Sequence, residues 1–397
     1  MTANKIQVVF TQVMTNKYRF LLILMGVLVL FALPGIAQAE GSEEEAKPLC
    51  LPGLFYDQTQ ECSPYGPTAY LLEMAEIGIT FPEMPLPIQK PDPSLTEVDY
   101  TYAYVVPIRA PVYRTLEAAI AEDRDNVIGR TTPGFTYVSI SRSSYNNGKY
   151  YHYNGFGWLV AEDLVFTTVS TFQGVEFLQT PEHEFGWILS MFAANGQAET
   201  KRTPGFENND YTGHYLDHQE MVQIYDTITI GNWDWYMIGP DEWLNQRAVA
   251  KITPRSVPPE GLDWDRWIEI NLYEQTLAVY ENRKLVFATL IASGKAPLYT
   301  YPGIFSVDEK TDLTSMRWLA GDDISYNLQS VPWAMNFDGD RAIHGAYWRA
   351  SLGYPQSHGC VNLSVGDSHW LFNWADVGEH VYVFDPSGET PLSEADR

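Results

Sequence analysis

"WIEINLYEQTLAVYENRKLVFATLIASG", residues 267–294, carries the clearest fold signal in the chain. Its apolar residues alternate as Ile268, Ile270 and Leu272, then Leu277 and Val279, then Leu285 and Phe287. Successive side chains on a strand point to opposite faces, so a period of two marks strands with one face in a core. Polar breaks at Tyr273 to Thr276 and at Glu281 to Lys284 fall where turns are needed, which predicts an antiparallel meander. Further strands are expected in "GIFSVDEK" (303–310), "PWAMNF" (332–337), "RAIHGAY" (341–347) and "EHVYVFDP" (379–386). The one convincing helix here starts at Ser364 and Asp367, an S-x-x-D capping pattern, after which Trp370, Leu371 and Trp374 share a helical face.

Upstream, "PRSVPPEG" (254–261) reads as a linker, and the texture before it differs. Between residues 99 and 257 short aromatic-rich runs such as "YTYAYVVPI", "FTYVSIS", "MVQIYDTI" and "WDWYMIGPDEWL" are broken by Gly, Asn and Pro. "GFGWLVAEDLV" and "WYMIGPDEWLN" resemble the closing strand and turn of bacterial Src-homology-type barrels, which predicts one or two small β-barrels. "RTTPGF" at Arg130 and "KRTPGF" at Lys201 hint at an internal repeat. The surplus of Trp158, Trp187, Trp233, Trp235 and Trp243 suits either a groove for sugar rings or peptide stems or, the favoured reading, the cores of such barrels.

The first 39 residues read as a secretory signal. Lys5, Lys17 and Arg19 precede an apolar run from Phe20 to Leu33, and "AQA" precedes Glu40. An uncleaved N-terminal anchor is the alternative, although the run falls short of the ~20 residues that span a bilayer. Residues 40–98 form a Pro- and acid-rich spacer headed by "CLPGLFYDQTQEC", in which Cys50 and Cys62 bracket a turn that a disulfide could close. The chain carries a formal charge of -25, about -28 from Glu40 onward, which repels nucleic acid and anionic lipid. Export makes cysteine parity informative, since nearby thiols pair under oxidising conditions. Cys360 is then the odd cysteine, either buried and inert or reactive and used.

"SHGCVNL" (357–363) favours use. A thiol becomes a nucleophile at neutral pH when a base takes its proton, and histidine is the natural partner. His358 lies two residues before Cys360 in a bent loop where side chains diverge, whereas His344, on a preceding strand, can approach from across the fold. Gly359 lets the backbone bend so that the amides of Gly359 and Cys360 converge on a developing oxyanion, and the helix start that follows favours a thiolate. Zinc held by His344, His358 and Cys360 fits poorly, with no fourth ligand of similar quality.

"IHGAYWRASLGYPQSHGCVNL" (343–363) resembles the signature of the L,D-transpeptidase (YkuD) family: His-Gly, about a dozen residues, then Ser-His-Gly-Cys, an apolar residue and Asn or Arg. "ASGKAPLYTYPGIFSV" (292–307) is similar to a second family segment, with Tyr301 where Thr is commoner. The resemblance covers residues 263–386, leaving 387–397 as a tail, and implies a mainly β fold, a sandwich with a short helix. It implies Cys360 as nucleophile and His344 as general base, oriented by the carbonyl of Gly345. His358, Gly359 and Cys360 would supply oxyanion-hole amides, with Ser357 and Asn362 shaping the loop. The implied activity cross-links third residues of peptidoglycan stem peptides with release of D-Ala, outside the cytoplasm in the wall or periplasm, with no cofactor or metal and with β-lactams, carbapenems in particular, as inhibitors. The alternatives are an L,D-carboxypeptidase and a non-catalytic wall-binding protein.

Overall fold

The computed structural model describes residues 86–393 apart from 87, 133, 321 and 322. The expected signal segment, the Cys50 and Cys62 loop and the end of the tail lie outside the described residues. Among the described residues no helix is long and apolar enough to cross a membrane.

The meander forms as the alternation requires. Strands Arg266–Asn271, Thr276–Glu281 and Lys284–Leu290 pair antiparallel, with Ile268 opposite Val279 and Val279 opposite Phe287, so the apolar rows align across the sheet. Strand His380–Phe384 runs parallel beside Arg266–Asn271, and Gly303–Ser306 closes that side. A second sheet contains Val361–Leu363, Arg341–Gly345 and Asp323–Asp338, the last paired with Glu309–Ala320 in a long hairpin. The sequence reading placed only short strands in that hairpin. The core lies between the sheets, where Ile268, Val279 and Phe287 meet Met335, Phe337, Ile343 and Val361.

Helix Val365–Trp374 seals one side of this core. Ser364 caps it by accepting from Asp367 N, and Leu371 is fully buried while the Trp370 ring stacks on Phe287 at 4.1 Å. Deleting a side chain buried like Leu371 costs about 2–5 kcal/mol. The Asp367 carboxylate accepts from Gly174 N at 2.8 Å and from Thr289 Oγ1 at 2.6 Å, which ties the helix start to two other segments.

The outer face of the meander differs from a half-exposed sheet. Trp267, Ala278 and Tyr280 point away from the core and are also buried, beneath Phe185, Trp187, Ala250 and Ile252. Those covering residues belong to the aromatic region, which contains one strand arrangement twice. Residues 101–166 and 184–252 each hold eight strands with the same antiparallel pairings in the same order, and in each a short 3-10 turn joins the last two. The turns are Ala161–Asp163 and Gln246–Ala248, each preceded by a Trp-Leu pair, Trp158-Leu159 and Trp243-Leu244. The two hexads that hinted at a repeat are not equivalent in it: Arg130–Phe135 joins the third and fourth strands of the first copy, whereas Lys201–Phe206 joins the second and third of the other. Trp187, Trp235 and Trp243 are buried, so these indoles fill cores.

Strand pairing runs across the expected boundary between 99–257 and 263–386. Phe135–Ile140 pairs parallel with the hairpin strand, Phe135 opposite Tyr326 and Tyr137 opposite Leu328, and thereby places Thr101–Val105 and Leu164–Phe166 in the second sheet. Val175–Phe177 extends the first sheet beside Phe287 and Ala288, and Ile88–Gln89 of the spacer extends it again. The described residues form one compact unit. An edge strand has unpaired backbone groups, and here strand Phe135–Ile140 satisfies those of the hairpin at Tyr326 to Leu328.

Candidate active site

Cys360 and His344 are brought together by two parallel strands. Val361–Leu363 lies beside Arg341–Gly345 with Asn362 in register with His344, and Cys360 immediately precedes the first of these. Cys360 is a free thiol, half-buried. It borders a cavity of about 340 Å³ together with His344, Asn362, Arg349, Ser357 and His358. Met316, Tyr326 and Leu328 of the hairpin and Phe135, at the start of strand Phe135–Ile140, border it too.

The imidazole of His344 is held in one tautomer by a chain of polar contacts. A guanidinium only donates, so the 2.5 Å contact of Arg349 Nε with Asn362 turns the amide oxygen toward Arg349. The amide nitrogen then donates to His344 Nε2 at 3.1 Å, which must be the unprotonated nitrogen. The other nitrogen, Nδ1, donates to the Gly345 carbonyl at 3.1 Å. Burial pushes the His344 imidazole down to about 4, with the Gly345 contact opposing and the Arg349 charge assisting. His344 is thus a neutral base whose lone pair faces Asn362 in the resting state.

Burial likewise pushes the Cys360 thiol up, against the Ala342 backbone N–H and the Arg341 charge, which favour the thiolate. A helix start close to the cysteine would favour a low thiol pKa. In the fold strand Val361–Leu363 separates the cysteine from the helix, so desolvation outweighs the dipole. Tyr326 is pushed up to about 12 by burial and then by the negative charge Cys360 would carry.

The loop before the cysteine also departs from expectation at one amide. Gly359 has φ +118°, a conformation that favours glycine, and a Cβ there would meet Arg341 Nε at 3.2 Å. Its N–H, expected in the oxyanion hole, donates to Ser357 Oγ at 3.1 Å, and the same hydroxyl donates to the Cys360 carbonyl at 2.5 Å. Ser357 therefore closes the loop on itself and removes the Gly359 amide from the candidate donors, leaving those of His358 and Cys360. The side chain of His358 is exposed and packs near Trp318 and Tyr326 of the hairpin, with ring centroids 5.5 and 5.1 Å away. Among the described residues no group of three or more His, Cys, Asp or Glu could hold a metal.

Several site residues escaped the sequence reading. Thr300, one place before Tyr301, accepts from Gly294 N at 2.9 Å and donates to the Gly359 carbonyl at 2.7 Å. Tyr301 itself is buried, its ring under the Arg341 guanidinium at 4.4 Å. The threonine hydroxyl sought in this segment is thus present one position earlier. Arg349, inside the quoted signature five residues after His344, was visible as a cation amid apolar residues. Phe135, remote in sequence, carried no such signal.

Residues 265–383 match the YkuD L,D-transpeptidase catalytic domain. No curated protein matches. Among solved structures, an L,D-transpeptidase from Stackebrandtia nassauensis is 26% identical, covering 33% of this chain and 60% of its own, at a TM-score of 0.27. The catalytic domain of the E. faecium L,D-transpeptidase is 29% identical over 31% of this chain and 100% of its own, at a TM-score of 0.29. The same domain acylated by ertapenem is 29% identical over 31% of this chain and 100% of its own, at a TM-score of 0.28. The chain spans less than two thirds of the Stackebrandtia structure's length.

Proposed function

From the premise that residues 265–383 carry an L,D-transpeptidase catalytic domain, we propose that the protein is an exported peptidoglycan L,D-transpeptidase working through a cysteine acyl-enzyme. The observation that carries the reading is the placement of Cys360 and a neutral, tautomer-fixed His344 around one cavity inside that domain.

His344 Nε2 releases the Asn362 N–H and accepts the Cys360 proton. The thiolate attacks the carbonyl of the L-centre of the third stem residue, and the oxyanion is met by the Cys360 and His358 amides. The tetrahedral intermediate collapses as Nε2 returns the proton to the amine of D-Ala, which leaves, and a thioester remains. The side-chain amine of a second stem then attacks the thioester and gives its proton to Nε2. Cys360 leaves as thiol, and the product joins two third residues. Water in place of the amine gives an L,D-carboxypeptidase by the same steps.

Incubation of the mature chain with purified tetrapeptide muropeptides, followed by mass spectrometry, tests the reading. Dimers lacking one D-Ala are expected. Tripeptides alone would establish hydrolysis, and unchanged muropeptides would remove the enzymatic reading. A carbapenem, whose strained ring opens to the same nucleophile, should raise the mass by one drug unit at Cys360, and an adduct elsewhere would discredit the site.

A further inference from the structure

Arg349 carries more charge into the cavity than the reaction steps above use. Its side chain is partly buried, and desolvation pushes its guanidinium down to about 10. Nε donates to Asn362 Oδ1, Nη1 to Gln356 Oε1 at 3.0 Å and Nη2 to the Gln356 carbonyl at 2.7 Å. These acceptors are all neutral, and among the described residues no carboxylate pairs with Arg349. A guanidinium has five N–H groups, so two remain for a ligand. The surroundings repeat the pattern: Arg349 and Lys295 border the cavity and, among the described residues, no aspartate or glutamate does, on a chain of formal charge -25. A partly desolvated cation served only by neutral acceptors is costly, and a carboxylate relieves that cost with the planar geometry guanidinium matches best.

Resting on the transpeptidase reading, we infer that Arg349 binds the free α-carboxylate of the residue expelled from the donor stem. That carboxylate is separated from the attacked carbonyl only by the leaving nitrogen and one Cα. Arg349 is linked through Asn362 to His344 Nε2, the atom that protonates the same leaving nitrogen. The site thereby reads the chain end: a tetrapeptide offers a carboxylate at this position, whereas a pentapeptide offers a neutral amide there. Arg349 is a specificity residue in this scheme and takes no part in proton transfer.

The test compares acylation of the full chain by a tetrapeptide stem with a free terminal carboxylate and by the same stem as its carboxamide. Wild type should favour the acid by about 30-fold, the size of a charge-assisted pair. R349M should bring the ratio close to one, and R349K should retain part of it. A purely structural role, through Asn362 and His344, would slow both forms equally and leave the ratio intact. Iodoacetate and iodoacetamide give a second readout that needs no stem peptide: intact mass follows Cys360 alkylation by each, relative to a free thiol peptide. Wild type should favour the anionic reagent, and R349M should lose that preference. Should R349M fail to fold, R349Q is read in its place. Equal use of acid and amide stems by wild type, or an acid preference unchanged in R349M, overturns the inference. If neither stem reacts while the iodoacetate preference is present and is lost in R349M, the transpeptidase reading fails and the anion site stands.

Discussion

Replacing Thr300 by valine removes one hydroxyl and keeps the shape. Thr300 is buried, and its Oγ1 is the contact that joins Gly294 N–H to the Gly359 carbonyl. Valine leaves both backbone groups unpaired in a space with no room for a replacement, since a Cβ on Gly294 would already lie 2.8 Å from Gly359 Cα. Each orphaned buried group costs about 1–3 kcal/mol, and the added methyl returns about 0.8 kcal/mol at most. The net loss should be about 3 kcal/mol, which for a unit of this size lowers the melting temperature by roughly 6 °C. Function should suffer as well, because the Gly359 carbonyl fixes the loop that presents the Cys360 amide, and small misplacements at such a site cost up to ~100-fold. Thermal and urea unfolding, with the rate of carbapenem acylation, measure both effects, and T300S serves as the control that keeps the hydroxyl. A T300V protein within about 1 kcal/mol of wild type, or a T300S protein no better than T300V, would show that the hydroxyl does not hold the loop.

C360S and H344A should each abolish turnover of muropeptides without unfolding the chain, and H358A should keep part of the activity; a dead H358A beside an active H344A would exchange their roles. The His344 imidazole lies near 4 in the folded chain and near 6.5 when unfolded. The unfolded chain therefore binds more protons between those values, so this contribution to stability is complete above 6.5 and is lost as pH falls toward 4. Up to about 3 kcal/mol is at stake, and the difference between wild type and H344Q isolates it from Asp367, which burial raises to about 6 and which acts in the opposite sense; a difference that does not change with pH would contradict the assignment. A chain beginning at Asp263 loses the strands paired with Tyr326–Leu328 and with Phe287, and with them the cover on Trp267 and Tyr280. It should aggregate or acylate more than about tenfold slower, and a soluble, fully active fragment would show that the barrels are dispensable to the site.

What the sequence determined by itself was local. A period of two fixed the three meander strands, the S-x-x-D pattern fixed the helix start at Ser364, and the Trp-Leu pairs before acidic or polar turns marked both barrel closures. Short-range backbone preferences and turn chemistry decide such features, so a few adjacent residues suffice to read them. The signature around His344 and Cys360 was legible for a similar reason, since reactive side chains amid small residues are few. Tertiary structure alone decided the rest. That Phe135 pairs with Tyr326 and borders the cavity follows from which strand edge was left unpaired, a property of the assembled sheets. The meander's second face is buried because Phe185, Trp187 and Ile252 lie on it, and alternation cannot report what covers a sheet. Whether Cys360 is raised or lowered depends on how far burial outweighs nearby dipoles, and the Gly359 amide was lost to Ser357 through a loop bend that no pattern specifies. Arg349 is the clearest case: the sequence shows a cation, but only the fold desolvates it and, among the described residues, leaves it without a carboxylate, because desolvation and pairing arise from distant residues meeting in space.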